Sequence, residues 1–158
     1  MIRIMDSSPN RSGPIYDPKT FDPKDGLGRL ISRVKVELHD AMEKELQPFD
    51  ISAAQFVILM RLATGEADSA SGLCKGISYD PGAMTRMIDR LEQKGLVRRI
   101  QLPYDRRKVG LELTAEGKAV YPKLRAASAA LHNRFLRGFT RNEVKQLENL
   151  LLKILANA

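Results

Sequence analysis

The chain of 158 residues contains one cysteine, two histidines and no tryptophan. A lone cysteine, Cys74, cannot close a disulfide within the chain, so no covalent staple is expected, and the usage fits a reducing compartment such as the cytoplasm. With His39 and His132 as its only histidines, the sequence offers no metal-ligand constellation, and neither a metal nor any other cofactor is expected. No run of about 18 apolar residues exists, which excludes a membrane-spanning helix. The opening segment MIRIMDSSPNRSGPIYDP lacks the apolar stretch of about 7 residues that a secretory signal needs. A nucleophile elbow, a phosphate-cradling glycine loop and an H-E-x-x-H pair are all missing, so nothing places a catalytic centre and no enzyme is expected.

What is present is charge of one sign, concentrated. The net charge is +7. Between positions 86 and 108 eight cations (Arg86, Arg90, Lys94, Arg98, Arg99, Arg106, Arg107, Lys108) face three anions (Asp89, Glu92, Asp105). Most of the excess therefore sits in one short segment, the footprint expected for a polyanionic partner. A merely solvated face is the alternative that local structure must displace.

Hydrophobic periodicity supplies that structure. Residues 1–25 carry Pro9, Pro14, Pro18 and Pro23 among Ser, Asn and Gly, and read as an extended or mobile arm. The remainder, 26–158, reads as a single domain. Over 26–47, Leu27, Leu30, Ile31, Val34, Leu38, Ala41, Met42 and Leu46 form one helical stripe ended by Pro48. A second helix starts at Ser52 and stops at Gly65, and a short third is weakly signalled over 69–76. Asp80 and Pro81 then form an N-cap and first-turn pair, Met84, Met87, Ile88 and Leu91 make an apolar stripe, and Gly95 ends a fourth helix. Residues 96–102 and 109–114 are strand-like flanks around the loop PYDRRK, a β-hairpin with a long loop. Thr114 caps a helix running towards Gly138, with Pro122 expected to bend or interrupt its first turns. Thr140 caps a last amphipathic helix. The fold class is mainly α with a small β-hairpin wing, in the order α-α-α-α-β-β-α-α.

Two short helices, a helix with a small polar face and a hairpin describe a winged helix-turn-helix lobe over 52–114. The stripes at 26–47 and 115–158 have too little sheet to pack on and form a helical dimerisation lobe, with Leu27, Leu30, Leu131, Leu147, Leu150 and Ile154 as its contacts. An α-helix fits the major groove of duplex DNA, where every base pair shows a distinct donor and acceptor pattern. Pro81, Gly82 and Ala83 leave room for close approach, and Thr85, Arg86 and Arg90 can reach base edges or phosphates. Arg106, Arg107 and Lys108 sit where a wing enters the minor groove, whose negative potential attracts arginine. Asp105 is out of place beside phosphate; its expected task is to aim Arg106 or Arg107 through a paired hydrogen bond. Lys94, Arg98 and Arg99 are candidates for phosphate contact or plain solvated charge.

The run TRMIDRLEQKGLVRR followed by DRRKVGLELTAEG resembles the MarR (multiple-antibiotic-resistance regulator) family. The pattern T-R-x-x-D-x-L-x-x-K-G-L-V, then D-x-R and L-T-x-x-G, is met with correct spacing, and the likeness is strong over 51–118. The resemblance implies a homodimer with the first and last two helices of each chain interlocked, a pseudo-palindromic double-stranded DNA operator, and repression relieved by a small aromatic or phenolic effector. Phenolic acids, their thioesters with coenzyme A, and lipophilic antimicrobials are the alternatives for that effector. It places ligand contacts at Thr85 and Arg99, while His39 either lines a pocket or fills an interface. The rival reading is a non-specific or architectural DNA-binding protein without ligand response, and a third is a winged helix that contacts only protein.

Overall fold

A computed structural model of the chain describes residues 14–75, 80–102 and 105–157, with the side chains of 102 and 105–108 outside the described set. The chain divides into two compact units, one up to Leu38 and one from His39 onward. Helix α1 (Leu27–Leu46) begins in the first and ends in the second.

In the first unit, prolines and aspartates organise turns ahead of the helix. The Asp17 carboxylate accepts the Lys19 N–H at 2.9 Å and the Asp22 carboxylate accepts the Lys24 N–H at 2.9 Å. The rings of Tyr16 and Phe21 pack with centroids 4.5 Å apart. The Tyr16 hydroxyl accepts the Leu27 N–H at 3.2 Å, satisfying one of the donors that a helix start leaves free. Leu27, Leu30 and Val34 nevertheless remain 43%, 55% and 54% exposed, so the apolar stripe of this unit is uncovered.

In the second unit α1 gives way at Pro48 to a 3₁₀ turn (Gln47–Phe49), closed by Asp50 in the left-handed region at φ 53°. Helix α2 (Ala53–Thr64) opens with a reciprocal cap. Ser52 Oγ accepts the Gln55 N–H, and Gln55 Oε1 accepts the Ser52 N–H, both at 3.1 Å. This pairing also satisfies Gln55, a buried polar side chain. Helices α3 (Ala70–Cys74) and α4 (Pro81–Gln93) follow, then strands β1 (Val97–Leu102) and β2 (Asp105–Leu113), and helices α5 (Ala115–Phe135) and α6 (Arg141–Leu155). The mainly helical order with a two-stranded antiparallel hairpin is the one the sequence predicts.

Two local expectations are corrected. Strand β2 begins at Asp105 rather than at Val109, with Leu102 opposite Asp105 and an irregularity between Gln101 and Leu102. Because Gln101 pairs with Val109 and Leu102 with Asp105, the basic residues 106–108 fall inside the β2 span as the extra length of that irregularity. Helix α5 runs through Pro122 as one helix, so the interruption offered as one of two expectations does not occur. The proline's φ is already helical, and the lost backbone bond is a local cost set against the burial of Leu124 and Leu131 farther along the helix.

The core joins α1, α2, α3, α4, the hairpin and α5 through Leu46, Ile58, Leu59, Leu73, Met84, Ile88, Leu91, Val97, Leu124 and Leu131. Helix α6 contributes no buried residue. Leu147, Leu150, Leu151, Leu152, Ile154 and Leu155 are all exposed on it. Burying large apolar side chains is worth roughly 1.5–3 kcal/mol each, so such a face is a stability deficit for a chain alone.

Candidate nucleic-acid interface

Helix α4 is held from behind and left bare in front. Met84, Ile88 and Leu91 are buried at 1% exposure or less, which fixes the helix by one stripe. Asp80 Oδ1 accepts the N–H groups of Gly82 and Ala83 at 2.9 and 3.0 Å, and Pro81 occupies the first turn, where a missing donor costs nothing. Pro81, Gly82, Thr85, Arg86 and Arg90 are exposed and Ala83 half-buried, so none of the six candidate contacts is in the core. Thr85 Oγ1 donates to the Pro81 carbonyl at 2.9 Å, leaving its lone pairs free to accept. The guanidinium of Arg86 lies back over the first turn, with Nη1 3.5 Å from where a Cβ on Gly82 would stand.

The basic segment is not uniformly available. Lys94 binds the backbone carbonyl of Asp50 and, at 2.9 Å, its carboxylate. Arg98 Nε donates to Glu112 at 2.6 Å across the hairpin. Arg99 donates to Asp89 at 2.5 Å and to Glu92, both on α4, and its backbone N–H also points at Glu92. The hydrogen bond to Asp89 is the main cause raising the Arg99 pKa above its ordinary value; partial burial opposes it, and the charge of Glu92 adds to it. These three cations are thus engaged within the chain. Among the described side chains of the segment, Arg86 and Arg90 are the cations that no described carboxylate pairs with. Sequence spacing missed this division because the partners come from separate elements: Asp50 after the 3₁₀ turn, Glu112 across the hairpin, and Asp89 with Glu92 on α4 beside β1.

The base of the wing is fastened by a knot around Thr114. Its hydroxyl donates to the Gly95 carbonyl at 2.6 Å and accepts the Gly117 N–H at 3.0 Å, while its own N–H reaches the Leu96 carbonyl at 3.1 Å. Gly95 sits at φ +69°, a left-handed turn that glycine adopts without strain. Any Cβ on Gly117 would drive into the Leu96 carbonyl oxygen. The L-T-x-x-G pattern therefore has a steric cause. Farther out, the Leu111 N–H donates to the Asp68 carbonyl at 2.7 Å.

The remaining candidates separate. Asp105, Arg106, Arg107 and Lys108 have their backbone in β2, but their side chains lie outside the described residues, as does any pairing between them. His39 is exposed on α1, 3.8 Å from the Glu43 carboxylate one turn on. A groove of about 500 Å³ is lined by Glu43, Gln47, Asp50, Gln55, Arg90 and Lys94 among others, and not by His39, Thr85 or Arg99. Leu131, expected at a dimer contact, is fully buried within its own chain because α5 turns that side to the core; Leu147, Leu150 and Ile154 are 42%, 60% and 40% exposed. Among the described residues no helix is long and apolar enough to cross a membrane.

Known proteins share this arrangement. Residues 51–109 match the family model for the MarR family. The multiple antibiotic resistance protein MarR of Escherichia coli (strain K12) is 38% identical over 130 residues, which cover 82% of this chain and 90% of that protein. A crystal structure of a mutant MarR from E. coli complexed with operator DNA superposes with TM-score 0.73 at 38% identity, over 82% of this chain and 93% of that one. CouR from Rhodococcus jostii RHA1 bound to p-coumaroyl-CoA gives TM-score 0.74 at 30% identity, over 83% and 92%.

Proposed function

This chain belongs to the MarR family of winged-helix transcriptional regulators, and from that premise we propose that it is a homodimeric repressor of a pseudo-palindromic operator. Two copies place their α4 helices in successive major grooves about 34–36 Å apart, with the hairpin wings in the flanking minor grooves. Pro81, Gly82 and Ala83 make the close approach; Thr85, Arg86 and Arg90 contact bases or phosphates; Arg106, Arg107 and Lys108 serve the wing, with Asp105 orienting an arginine. The observation carrying this reading is the sorting of charge among the described side chains: internal carboxylates take Lys94, Arg98 and Arg99, and Arg86 and Arg90 are left exposed one turn apart on α4.

Dimerisation draws support from the uncovered leucines of α6 in one unit and of early α1 in the other. Leu27, Leu30, Leu147, Leu150 and Ile154 supply the buried face, and the domain so formed has 52–114 as its DNA lobe and 26–47 with 115–158 as its dimerisation lobe. The operator-bound MarR structure and the p-coumaroyl-CoA-bound CouR structure support operator binding and a small aromatic or phenolic effector, coenzyme A thioesters included. The effector lowers operator affinity by favouring a dimer geometry in which the two α4 helices no longer match the groove spacing.

Fluorescence anisotropy at fixed salt tests this, comparing the gene's own upstream DNA with random duplex. Affinity for the operator at least about 10³-fold above random sequence is expected, falling when an aromatic acid or its coenzyme A thioester is added. Equal, steeply salt-dependent affinity for both duplexes would instead establish a non-specific, architectural binder.

A further inference from the structure

The geometry points to Arg99 as a positioning residue for DNA reading: through Asp89 and Glu92 it locks the wing to α4, so that both grooves are met at one preset separation. The inference rests on the operator-binding function proposed above and adds to it a residue that need not touch DNA.

The argument starts from how little holds the outer hairpin. A two-stranded ribbon is marginal by itself in water. Here Val97, Leu111 and Leu113 anchor its base in the core, whereas Gln101 and Val109 are exposed. Between anchored base and projecting tip, the links to the body among the described residues include the Arg99 fork and the Leu111 N–H to Asp68 carbonyl bond. The fork is unusually directional. One guanidinium nitrogen reaches Asp89, another reaches Glu92, and Glu92 also accepts from the Arg99 backbone N–H at 3.4 Å. Two carboxylates one turn apart on α4 thus fix both the side chain and the strand carrying it.

Asp89 makes the case sharper. It lies three residues after Arg86 and one before Arg90, on the helix that meets the polyanion. An unneutralised carboxylate there repels phosphate, so its retention is understandable if it does something for geometry. The alternative, Arg99 as a direct phosphate contact, predicts a uniform loss over all sequences when it is removed. Positioning predicts a loss confined to the operator, because non-specific binding does not require helix and wing in register.

Operator and random-duplex affinities of the full chain are measured for Arg99→Gln, Asp89→Asn and the double variant, beside thermal melts. The pair is exposed, so melting temperatures should hardly move. Asp89→Asn, although it makes the protein more positive, should weaken operator binding about tenfold, as should Arg99→Gln, through the cost of ordering a loosened wing. The double variant should be no worse than either single one. Random-duplex affinity should change far less. Tighter or unchanged operator binding by Asp89→Asn overturns the positioning role, as do additive losses or equal losses on both duplexes. If those variants melt too early to assay, Arg99→Lys decides: it keeps the charge without the fork, and wild-type affinity overturns the proposal. An unmodified protein without operator preference overturns this inference together with the function beneath it, whereas intact preference with an indifferent Asp89→Asn overturns the positioning alone.

Discussion

Gly117→Ala sets two physical effects against each other. As the third residue of α5, glycine is a poor helix former, and from propensity alone alanine should add up to about 1 kcal/mol of stability. The structure reverses the sign. A Cβ at 117 would run into the Leu96 carbonyl oxygen, and would stand 3.1 Å from the Leu96 carbonyl carbon and 3.4 Å from Leu113 Cβ. The obstructing atom is backbone, so no side chain can swing away; either α5 or the turn after Gly95 must shift. Overpacking of this kind costs about 1–3 kcal/mol and occasionally more. Displacement also strains the Thr114 bonds to Gly95 and Gly117. Net of the propensity gain, a loss of about 1–2 kcal/mol is expected, or about 2–8 °C in Tm for a chain of this size. Circular-dichroism melts and urea titrations at one fixed chain concentration measure it, so that any self-association contributes equally to both proteins. A Tm equal to or above wild type would refute the steric account of the L-T-x-x-G pattern.

Four other outcomes are expected. Leu150→Asp should yield a monomer by analytical ultracentrifugation and abolish operator binding, since Leu150 is 60% exposed on a helix with no buried residue; a dimer with full affinity would contradict the interface. Arg86→Ala should cost about 1–3 kcal/mol in operator binding if it reads a base, or flatten the salt dependence by about one if it touches phosphate; no change in either removes it from the interface. Asp105→Ala should weaken operator binding despite raising the positive charge, and tighter binding would remove its orienting role. Glu143 accepts the Thr140 N–H and hydroxyl, which holds its carboxyl below the ordinary value. Its contribution to α6 is therefore present above the unfolded pKa and lost as pH falls through the depressed one, and a carbon-13 titration placing Glu143 at or above the ordinary value of about 4.3 would contradict the cap.

The reading helix was legible because its signals are local. Asp80 and Pro81 start it, Gly95 stops the chain behind it, and the buried stripe follows from a period of 3.6. Family membership was equally legible, since the spaced pattern from Thr85 to Gly117 is dense. What the sequence withheld depends on convergence in space. The eight cations look alike in one dimension, yet Lys94, Arg98 and Arg99 are taken by Asp50, Glu112 and the pair on α4. Apolar periodicity did not separate buried from exposed leucines either. Leu131 and Leu150 occupy similar stripes, one fully buried and one open. Pro122 within α5 and the early start of β2 show tertiary context overriding local preference.

Hydroxyl-radical and dimethyl-sulphate footprinting of the full chain on its own operator interrogates the proposed docking mode directly. Two major-groove protections one helical turn apart are expected, each flanked by a minor-groove protection on its outer side, with the outer pair weakened selectively by Asp89→Asn. A single unpaired footprint, or uniform backbone protection along the duplex, would contradict a paired helix-and-wing reader.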